Sequence, residues 1–194
     1  NIKEGTARLI GARALRRDND VRSNRGALQS SDEVRIIGVA RFTNQEVRKK
    51  LEKCKIETIE CDLLNSEAVN DLPKVTNVIY MAGRKFGTSG DEPFSWAMNT
   101  HAPGIVAQAF RNSRIVAFST LCVYLFSSIQ DLSCDENTAP TPFGEYANSC
   151  VGRERIFQYF SRKYNTPGRL IRLNYAIDLR YGVLFDVANW VRNQ

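Results

Sequence analysis

The sequence predicts an α/β fold built on a doubly wound parallel sheet. Short apolar runs alternate with longer segments of helical period along the chain, and this alternation is typical of a parallel sheet whose two faces are covered by helices. The 194 residues, 43% of them hydrophobic, leave room for one domain of good size or for one domain and the start of a second. Because ligands of such sheets bind beyond the carboxyl ends of the strands, the residues that follow each apolar run are the functional candidates.

Five apolar runs predict strands, and the periodic segments between them predict helices. The predicted strands are 34 to 40, 56 to 61, 77 to 82, 114 to 119 and 169 to 174, and the predicted helices are 10 to 17, 45 to 53, 92 to 111, 145 to 164 and 183 to 192. Pro103 predicts a kink or an early break in its helix. Segment 125 to 143 is rich in Ser, Asp, Asn and Pro, which indicates a long surface loop.

The first strand of the sheet is predicted to be truncated. Gly5 and Gly11 bracket a possible strand-to-helix turn, and only four residues precede Gly5. Glycines in such a turn let backbone N–H groups approach a pyrophosphate. A plain turn followed by a helix fits the two glycines equally well.

Charge and cysteine usage narrow the class of protein. The net charge of +6 is spread along the chain, and the one dense basic segment, 12 to 26, has no interleaved aromatic residues, so a solvated surface is favoured over nucleic-acid binding. Attraction to an anionic small molecule stays open. The five cysteines show neither C-x-x-C spacing nor a metal-ligand grouping, which predicts reduced thiols and no metal site. With no apolar run of membrane-spanning length and no signal core, a cytoplasmic protein is expected.

The predicted strand ends carry several candidate ligand contacts. Arg41 follows one strand, where a basic residue suits the 2′-phosphate of NADP and a carboxylate would suit the ribose of NAD. Asp62, followed by Leu63, comes directly after the next strand, where it can accept a hydrogen bond from an adenine amino group or cap the following helix. For Arg41 an exposed loop arginine, and for Asp62 a helix cap, are the plainer interpretations.

Two further strand ends combine small, basic and hydroxyl side chains. Ala82 and Gly83 would let a cofactor pass close to the backbone, and Lys85 adds positive charge beside them. Ser119 and Thr120 end the following strand, where their hydroxyls can hold a substrate oxygen or form an ordinary turn.

The predicted helix 145 to 164 begins with a tyrosine that burial alone does not require. Tyr146 and Cys150 are four residues apart, so their side chains lie on the same helical surface. The pair therefore fits either an acid/base site or a helix that packs on the core.

The order of these motifs resembles the extended short-chain dehydrogenase/reductase family, in its NAD-dependent epimerase/dehydratase branch. The glycine turn, the strand-end Asp62, "MAG" at 81 to 83, Asn99, "STLCVY" at 119 to 124 and Tyr146 follow one another as in that family. The resemblance runs from about Gly5 to Asn174. It implies a Rossmann-like dinucleotide-binding domain over residues 1–174 and the start of a substrate-binding lobe over 175–194, most of which is absent.

The resemblance also implies roles for individual residues. Tyr146 would be the acid/base, Thr120 its hydroxyl partner, and Cys150 stands at the position of the family's lysine. The implied cofactor-binding residues are Gly5, Arg8, Gly11, Arg41, Asp62, Leu63, Ala82, Gly83, Asn99 and Ser119. The implied substrate contacts are Lys85, Asn174 and Arg180, with Arg172 as the arginine of the "R-x-N" turn.

Two positions depart from the family pattern. Arg8 occupies the middle glycine position of G-x-x-G-x-x-G, where its side chain would crowd a pyrophosphate. Cys150 stands at the lysine position of the family's Y-x-x-x-K motif. In the family, that lysine lowers the pKa of the tyrosine by its charge and holds the nicotinamide ribose. A neutral thiol does neither.

Three functions follow as hypotheses. The first is an oxidoreductase that uses NAD or NADP, with NADP favoured by Arg41, on a sugar nucleotide or a similar polar carbonyl compound, as a monomer or a homodimer. The second is a catalytically degenerate Rossmann-type domain that binds a nucleotide or regulates, which Arg8 and Cys150 favour. The third, ranked last, is nucleic-acid binding by residues 8 to 25.

Overall fold

A computed structural model describes residues 8–11, 35–85, 90–125, 134–174 and 183–193 of the chain. Its strands are β1 Arg8–Gly11, β2 Ile36–Ala40, β3 Glu57–Glu60, β4 Asn77–Tyr80, β5 Arg114–Thr120 and β6 Gly168–Leu173. Its α-helices are α1 Gln45–Lys53, α2 Ser66–Asn70, α3 Glu92–Trp96, α4 Ala102–Ala109, α5 Gly144–Tyr164 and α6 Val183–Arg192. A π-helical turn, Ala97–His101, joins α3 to α4, and a 3₁₀ turn, Leu121–Val123, follows β5.

The strands form one parallel sheet in the order β3-β2-β1-β4-β5-β6. The doubly wound fold predicted from the sequence is therefore confirmed. Strands β2 to β6 coincide with the five predicted apolar runs to within two residues at each end. Apolar side chains of the central strands and of the covering helices form the main core, which includes Ile37, Val39, Val78, Tyr80, Val106, Phe110, Ala117 and Phe157.

The central strand lies further along the chain than the glycine pattern predicts. Arg8–Gly11 pairs in parallel with Ile36–Val39 on one side and, over its first three residues, with Asn77–Ile79 on the other. The first strand is short, as expected, but its place before Gly5 was wrong. The helix predicted over 10 to 17 does not begin at residue 10, which lies in β1, and its remainder from residue 12 lies outside the described residues. Arg8 is a strand residue because its backbone completes the ladders of two neighbours that would otherwise have unpaired edges. Gly5 and residues 12–34 lie outside the described ranges.

The interruption predicted at Pro103 is confirmed, and it falls on the turn that precedes the proline. The α-helical pattern gives way to the π turn Ala97–His101 and resumes with Pro103 in the first turn of α4. Proline has no N–H to donate to the carbonyl four residues earlier, that of Asn99. The Nε of Arg153 donates to this carbonyl over 3.3 Å, so a side chain of α5 satisfies the backbone acceptor.

A buried ion pair joins α5 to strand β6. The Glu154 side chain is 0% exposed and that of Arg172 19% exposed. Arg172 donates from Nε and Nη2 to the two carboxylate oxygens over 3.0 and 2.8 Å, and it also contacts the Tyr124 hydroxyl. That hydroxyl donates to the Asp135 carbonyl over 2.9 Å. The pair thus links α5 and β6 to Tyr124 and, through its hydroxyl, to Asp135.

Among the helices of the described ranges, none has the length and apolar character needed to span a membrane.

Removing one partner of this buried pair is expected to destabilise the fold strongly. Glu154→Ala leaves the Arg172 guanidinium buried against no carboxylate, which typically costs about 3–5 kcal/mol in free energy of unfolding. The measurement is urea unfolding followed by circular dichroism. The control is Glu52→Ala, which removes a largely exposed i,i+4 pair with Arg48 and should cost less than about 1 kcal/mol. Equal losses for the two variants would contradict the importance of the buried pair.

Candidate functional site

The candidate residues gather at one edge of the sheet because all six strands are parallel. Arg41 directly follows β2, Ala82 and Gly83 follow β4 by two residues, and Thr120 ends β5. Carboxyl ends of parallel strands meet at the same edge, where ligands of open α/β sheets bind. The backbone topology therefore brings together residues that are up to 79 positions apart in the sequence.

A cleft of about 380 Å³ opens at the ends of β2, β3 and β4. Its walls combine polar and apolar side chains with small residues at the end of β4. The lining includes Arg41, Phe42, Asn44, Asp62, Leu63, Ala82, Gly83 and Met98. Arg41, Asp62, Leu63, Ala82 and Gly83, the five residues predicted at these strand ends, all belong to this lining.

Arg41 and Asp62 face each other across the mouth of the cleft. The Nη1 of Arg41 lies 4.0 Å from Oδ2 of Asp62, and both side chains are nearly half exposed. The other oxygen of Asp62 accepts a hydrogen bond from the Leu64 N–H over 3.0 Å. The cap of helix α2 is instead Asn65, whose Oδ1 accepts from Ala68 N–H. Asp62 therefore shapes the turn after β3, and its role as a helix cap was wrong.

The backbone bends sharply just after Arg41. Phe42 has a φ of 42°, in the left-handed region that disfavours a bulky side chain, and yet it is only 5% exposed. Its ring packs with Leu51 and lies 5.6 Å from the guanidinium carbon of Arg48. Burial of Phe42 holds this bend, which leaves the Arg41 side chain at the cleft.

Asn99 is fully buried, and protein groups use all of its hydrogen-bonding capacity. Its Nδ2 donates to the Arg84 carbonyl over 2.9 Å and to Ser149 Oγ over 3.0 Å. Its Oδ1 accepts from the Arg84 N–H over 2.7 Å and from Arg153 Nη2 over 2.8 Å. Asn99, predicted to bind the cofactor, therefore positions the loop after Gly83 and contacts a ligand only through that loop.

Arg153 is a site residue that the sequence reasoning did not assign. It is 7% exposed, and besides its two bonds to Asn99 it donates from Nη1 to the Phe118 carbonyl over 3.0 Å. A Cβ at Gly83 would lie 2.4 Å from its Nη2, so a glycine is required for this approach. Arg153 stands seven residues after Tyr146 on the same helix. That spacing, two helical turns, is the sequence signal that places both on one face.

Tyr146, Thr120 and Cys150 are brought together as the sequence predicted. The Tyr146 hydroxyl lies close enough to the Thr120 hydroxyl and to the Cys150 thiol for both groups to act on its ionisation. Burial raises the pKa of Tyr146 well above its ordinary value, and the Cys150 contact raises it further, while Thr120 and the Arg153 charge oppose these effects. Cys150 is 0% exposed, and burial raises its thiol pKa as well. Both groups are therefore neutral near pH 7.

The remaining candidate residues belong neither to the cleft lining nor to the Tyr146 group. The Ser119 side chain is 7% exposed, and its hydroxyl has no hydrogen-bond partner among the described residues. Lys85 and Asn174 are exposed at the ends of described segments. Arg172 bonds to Glu154. Arg180 lies outside the described ranges, and Arg8 and Gly11 are in β1, so a phosphate turn spanning Gly5 to Gly11 is excluded. Of Arg8 and Gly11, it is Gly11, the last residue of β1, that lies at the carboxyl edge of the sheet.

Solved structures with the same architecture are numerous, at low sequence identity. UDP-glucuronic acid 4-epimerase from Bacillus cereus, in complex with NAD, is 16% identical with a TM-score of 0.70, over 87% of this chain and 56% of that one. The UDP-Glc/GlcNAc 4-epimerase from Campylobacter jejuni is 16% identical with a TM-score of 0.73, over 87% of this chain and 53% of that one. A dTDP-glucose 4,6-dehydratase double mutant from Streptomyces venezuelae, with NAD and DAU bound, is 17% identical with a TM-score of 0.73, over 96% and 62%.

These likenesses show the fold, and the chain spans only about half to two thirds of the length of the three solved proteins. The search of the curated proteins found no match. The model of the NAD-dependent epimerase/dehydratase family matches residues 25–176, which is most of the chain and begins beyond Gly5, Arg8 and Gly11. The expected NAD-type cofactor agrees with this match. With its parallel sheet and its strand-end residues in the family's order, the chain belongs to the NAD-dependent epimerase/dehydratase family.

Proposed function

We propose that the chain is the dinucleotide-binding part of an NADP-dependent oxidoreductase that acts on a hydroxyl or carbonyl group of a sugar nucleotide or similar polar compound. The observation that carries the proposal is the closeness of the Tyr146 and Thr120 hydroxyls at the end of β5. An acid/base group next to a second hydroxyl can hold the same substrate oxygen and exchange a proton with it. Membership of an NAD-dependent family supports a hydride transfer as the accompanying step.

The cleft at the ends of β2, β3 and β4 suits the adenosine half of the cofactor. Ala82 and Gly83 line this cleft with little side chain, and the Cβ side of Gly83 is occupied by Arg153. Asp62 offers a carboxylate acceptor to an adenine amino group, and Leu63 an apolar wall. Arg41, nearly half exposed at the mouth, suits the 2′-phosphate of NADP. When bound, the nicotinamide ring supplies or accepts the hydride.

The chain's own residues handle the proton and the orientation. Tyr146 exchanges the proton with the substrate oxygen, and Thr120 holds that oxygen by a hydrogen bond. Asn99 and Arg153 brace the loop of Gly83 and the end of β5, which keeps the two sides of the site at a fixed separation. Lys85 and Asn174 stay candidates for substrate contact, since both are exposed near strand ends.

A sugar nucleotide is the proposed substrate class because two solved proteins of the same architecture are UDP-sugar epimerases and a third is a dTDP-glucose dehydratase. Because the chain spans only about half to two thirds of those proteins, a substrate-binding lobe that begins within 175–194 is proposed as well. A homodimer stays a prediction from the sequence.

A second candidate function is favoured by one observation. The buried thiol of Cys150 stands where the family has a lysine, so the site lacks that cation. A domain that binds the dinucleotide without turnover fits this change.

The first experiment is a titration of the folded protein with NADPH and, separately, NADH, followed by nicotinamide fluorescence and thermal melting. We expect saturable NADPH binding and a raised melting temperature, because a ligand that binds only the native state stabilises it. Binding of neither cofactor would remove the oxidoreductase proposal and the binding-domain alternative together.

Replacing Tyr146 by phenylalanine is expected to separate binding from turnover. Tyr146→Phe removes only the hydroxyl, so NADPH binding stays within about twofold while turnover of a sugar-nucleotide ketone falls by at least about 100-fold. The control is Tyr159→Phe, an exposed tyrosine on the same helix, which should leave turnover unchanged. Full activity of Tyr146→Phe would remove the tyrosine from the mechanism, and inactivity of both the variant and the parent would favour the binding domain.

Replacing Arg41 is expected to reduce the preference for NADPH. Arg41→Ala removes the cation proposed for the 2′-phosphate, and hydrogen bonds to charged groups contribute about 1.5–3 kcal/mol. NADPH affinity should therefore fall by about 10-fold or more, while NADH affinity stays the same. The control is Lys49→Ala, which removes an equal charge from an exposed position on α1. Equal losses for the two cofactors would place the 2′-phosphate elsewhere.

A further inference from the structure

We propose that this site works in the reductive direction: Tyr146 gives a proton from its neutral hydroxyl to a carbonyl oxygen, and its surroundings do not sustain the tyrosinate that alcohol oxidation and epimerisation require. The inference rests on the proposed function and narrows it to carbonyl reduction. It is carried by the groups that contact Tyr146 and by the direction in which the nearest cation is held.

The contacts of the Tyr146 hydroxyl favour its protonated form. Cys150 is completely buried one turn further along α5, close to the Tyr146 hydroxyl. A lysine at this position would place an ammonium beside the phenolate, whereas a buried neutral thiol offers no charge. Ionisation of the thiol would add a negative charge and would disfavour tyrosinate further. Among the described residues, Thr120 and the Arg153 charge are the groups that favour an ionised Tyr146.

The nearest cation, Arg153, is committed to other groups. Its Nε, Nη1 and Nη2 donate to the Asn99 carbonyl, the Phe118 carbonyl and the Asn99 Oδ1. Its charge lowers the pKa of Tyr146, but burial raises that pKa by more. Arg153 therefore acts on Tyr146 through space, while these N–H groups point at the π turn and at β5.

The other charged groups near this face are paired elsewhere. Glu154 of α5 bonds to Arg172 of β6, and Glu145 of the same helix accepts from the Trp96 indole N–H over 2.5 Å. Arg84 of the loop after β4 pairs with Asp91 over 2.6 Å. Cys122 of the 3₁₀ turn is close enough to Cys150 to raise its thiol pKa. Among the described residues, Cys150 and Arg153 are the groups whose charge acts on the pKa of Tyr146.

The protonation state of Tyr146 decides whether the site can reduce a carbonyl group or oxidise an alcohol. In reduction the carbonyl carbon gains a hydride from NADPH, the carbonyl π bond breaks, and its oxygen takes the Tyr146 proton. The carbonyl compound is reduced to an alcohol, NADPH is oxidised by two electrons, and Tyr146 recovers a proton from water. Oxidation and epimerisation begin with tyrosinate instead. Even at a tyrosine pKa of about 10, only about one molecule in a thousand holds tyrosinate at pH 7.

The consequence is a pH dependence with a defined sign. Because the pKa of Tyr146 is raised, the acid form persists through the neutral range, so the reductive rate should stay flat up to about pH 9. The oxidative rate should rise about tenfold per pH unit over the same range, since it follows the tyrosinate fraction.

The test measures Tyr146 ionisation in the protein without cofactor. Tyrosinate absorbance is titrated in the parent chain and in Tyr146→Phe, with circular dichroism recorded to confine the data to folded protein. We expect the two curves to coincide up to about pH 10, because the other six tyrosines are common to both proteins and Tyr146 stays protonated. A Tyr146 midpoint at or below about pH 9 would overturn the inference and would mean that Arg153 replaces the family's lysine.

A second variant keeps the test informative. Cys150→Lys restores the family spacing and should lower the Tyr146 midpoint by more than one pH unit, because an ammonium next to the phenolate favours ionisation. The control is Asn148→Lys, which adds the same charge on the exposed face of α5 and should leave the midpoint unchanged. Equal midpoints for Cys150→Lys and the parent chain would also overturn the inference. Since no substrate or cofactor is present, failure of NADPH to bind removes the proposed function separately.

Discussion

The buried side chain of Asn99 is the interaction on which the arrangement of the site depends. Its amide satisfies the N–H and the carbonyl of Arg84, the hydroxyl of Ser149 and one nitrogen of Arg153. Each of these groups would otherwise be a polar atom in the interior, and an unsatisfied buried group costs about 1–3 kcal/mol. One residue thus ties the loop after β4 to helix α5. The loop and the helix keep their separation because neither can move without breaking these bonds.

The neighbours of Asn99 follow from the same constraint. Pro103 leaves the Asn99 carbonyl without a helical donor, and the π turn presents that carbonyl to Arg153. Arg153 can lie there only because Gly83 has no Cβ. A similarly close contact occurs between helices, where a Cβ at Gly152 would lie 2.7 Å from the Thr100 hydroxyl. Gly83, Gly152 and Pro103 are far apart in the sequence, yet all three shape the packing of α5 against the π turn and the loop after β4.

The sequence predicted the elements that carry their own signal and missed those decided by partners. Strands β2 to β6 are apolar runs long enough to recognise, and the long helix α5 shows a helical period. Strand β1 has four residues and is fixed by two neighbouring strands, which no local pattern reveals. Helix α2 is only five residues long, too short to show a helical period. The family order of motifs predicted that Tyr146 and Thr120 lie near each other, as they do in the structure. The contacts of Arg153 were not predicted, because they join it to residues more than thirty positions away in the sequence.

The position of a charge matters more in this site than its presence. Arg153 lies two turns from Tyr146, and the family's lysine would lie one turn away, at Cys150. Interactions between a cation and a phenolate weaken with distance, and a guanidinium that already donates to three acceptors cannot turn to give a direct hydrogen bond. The arginine therefore contributes firmly to the architecture and only partly to the acidity of Tyr146. The hydrogen bonds by which Arg153 joins α5 to the π turn and to β5 therefore also keep its guanidinium from bonding to Tyr146.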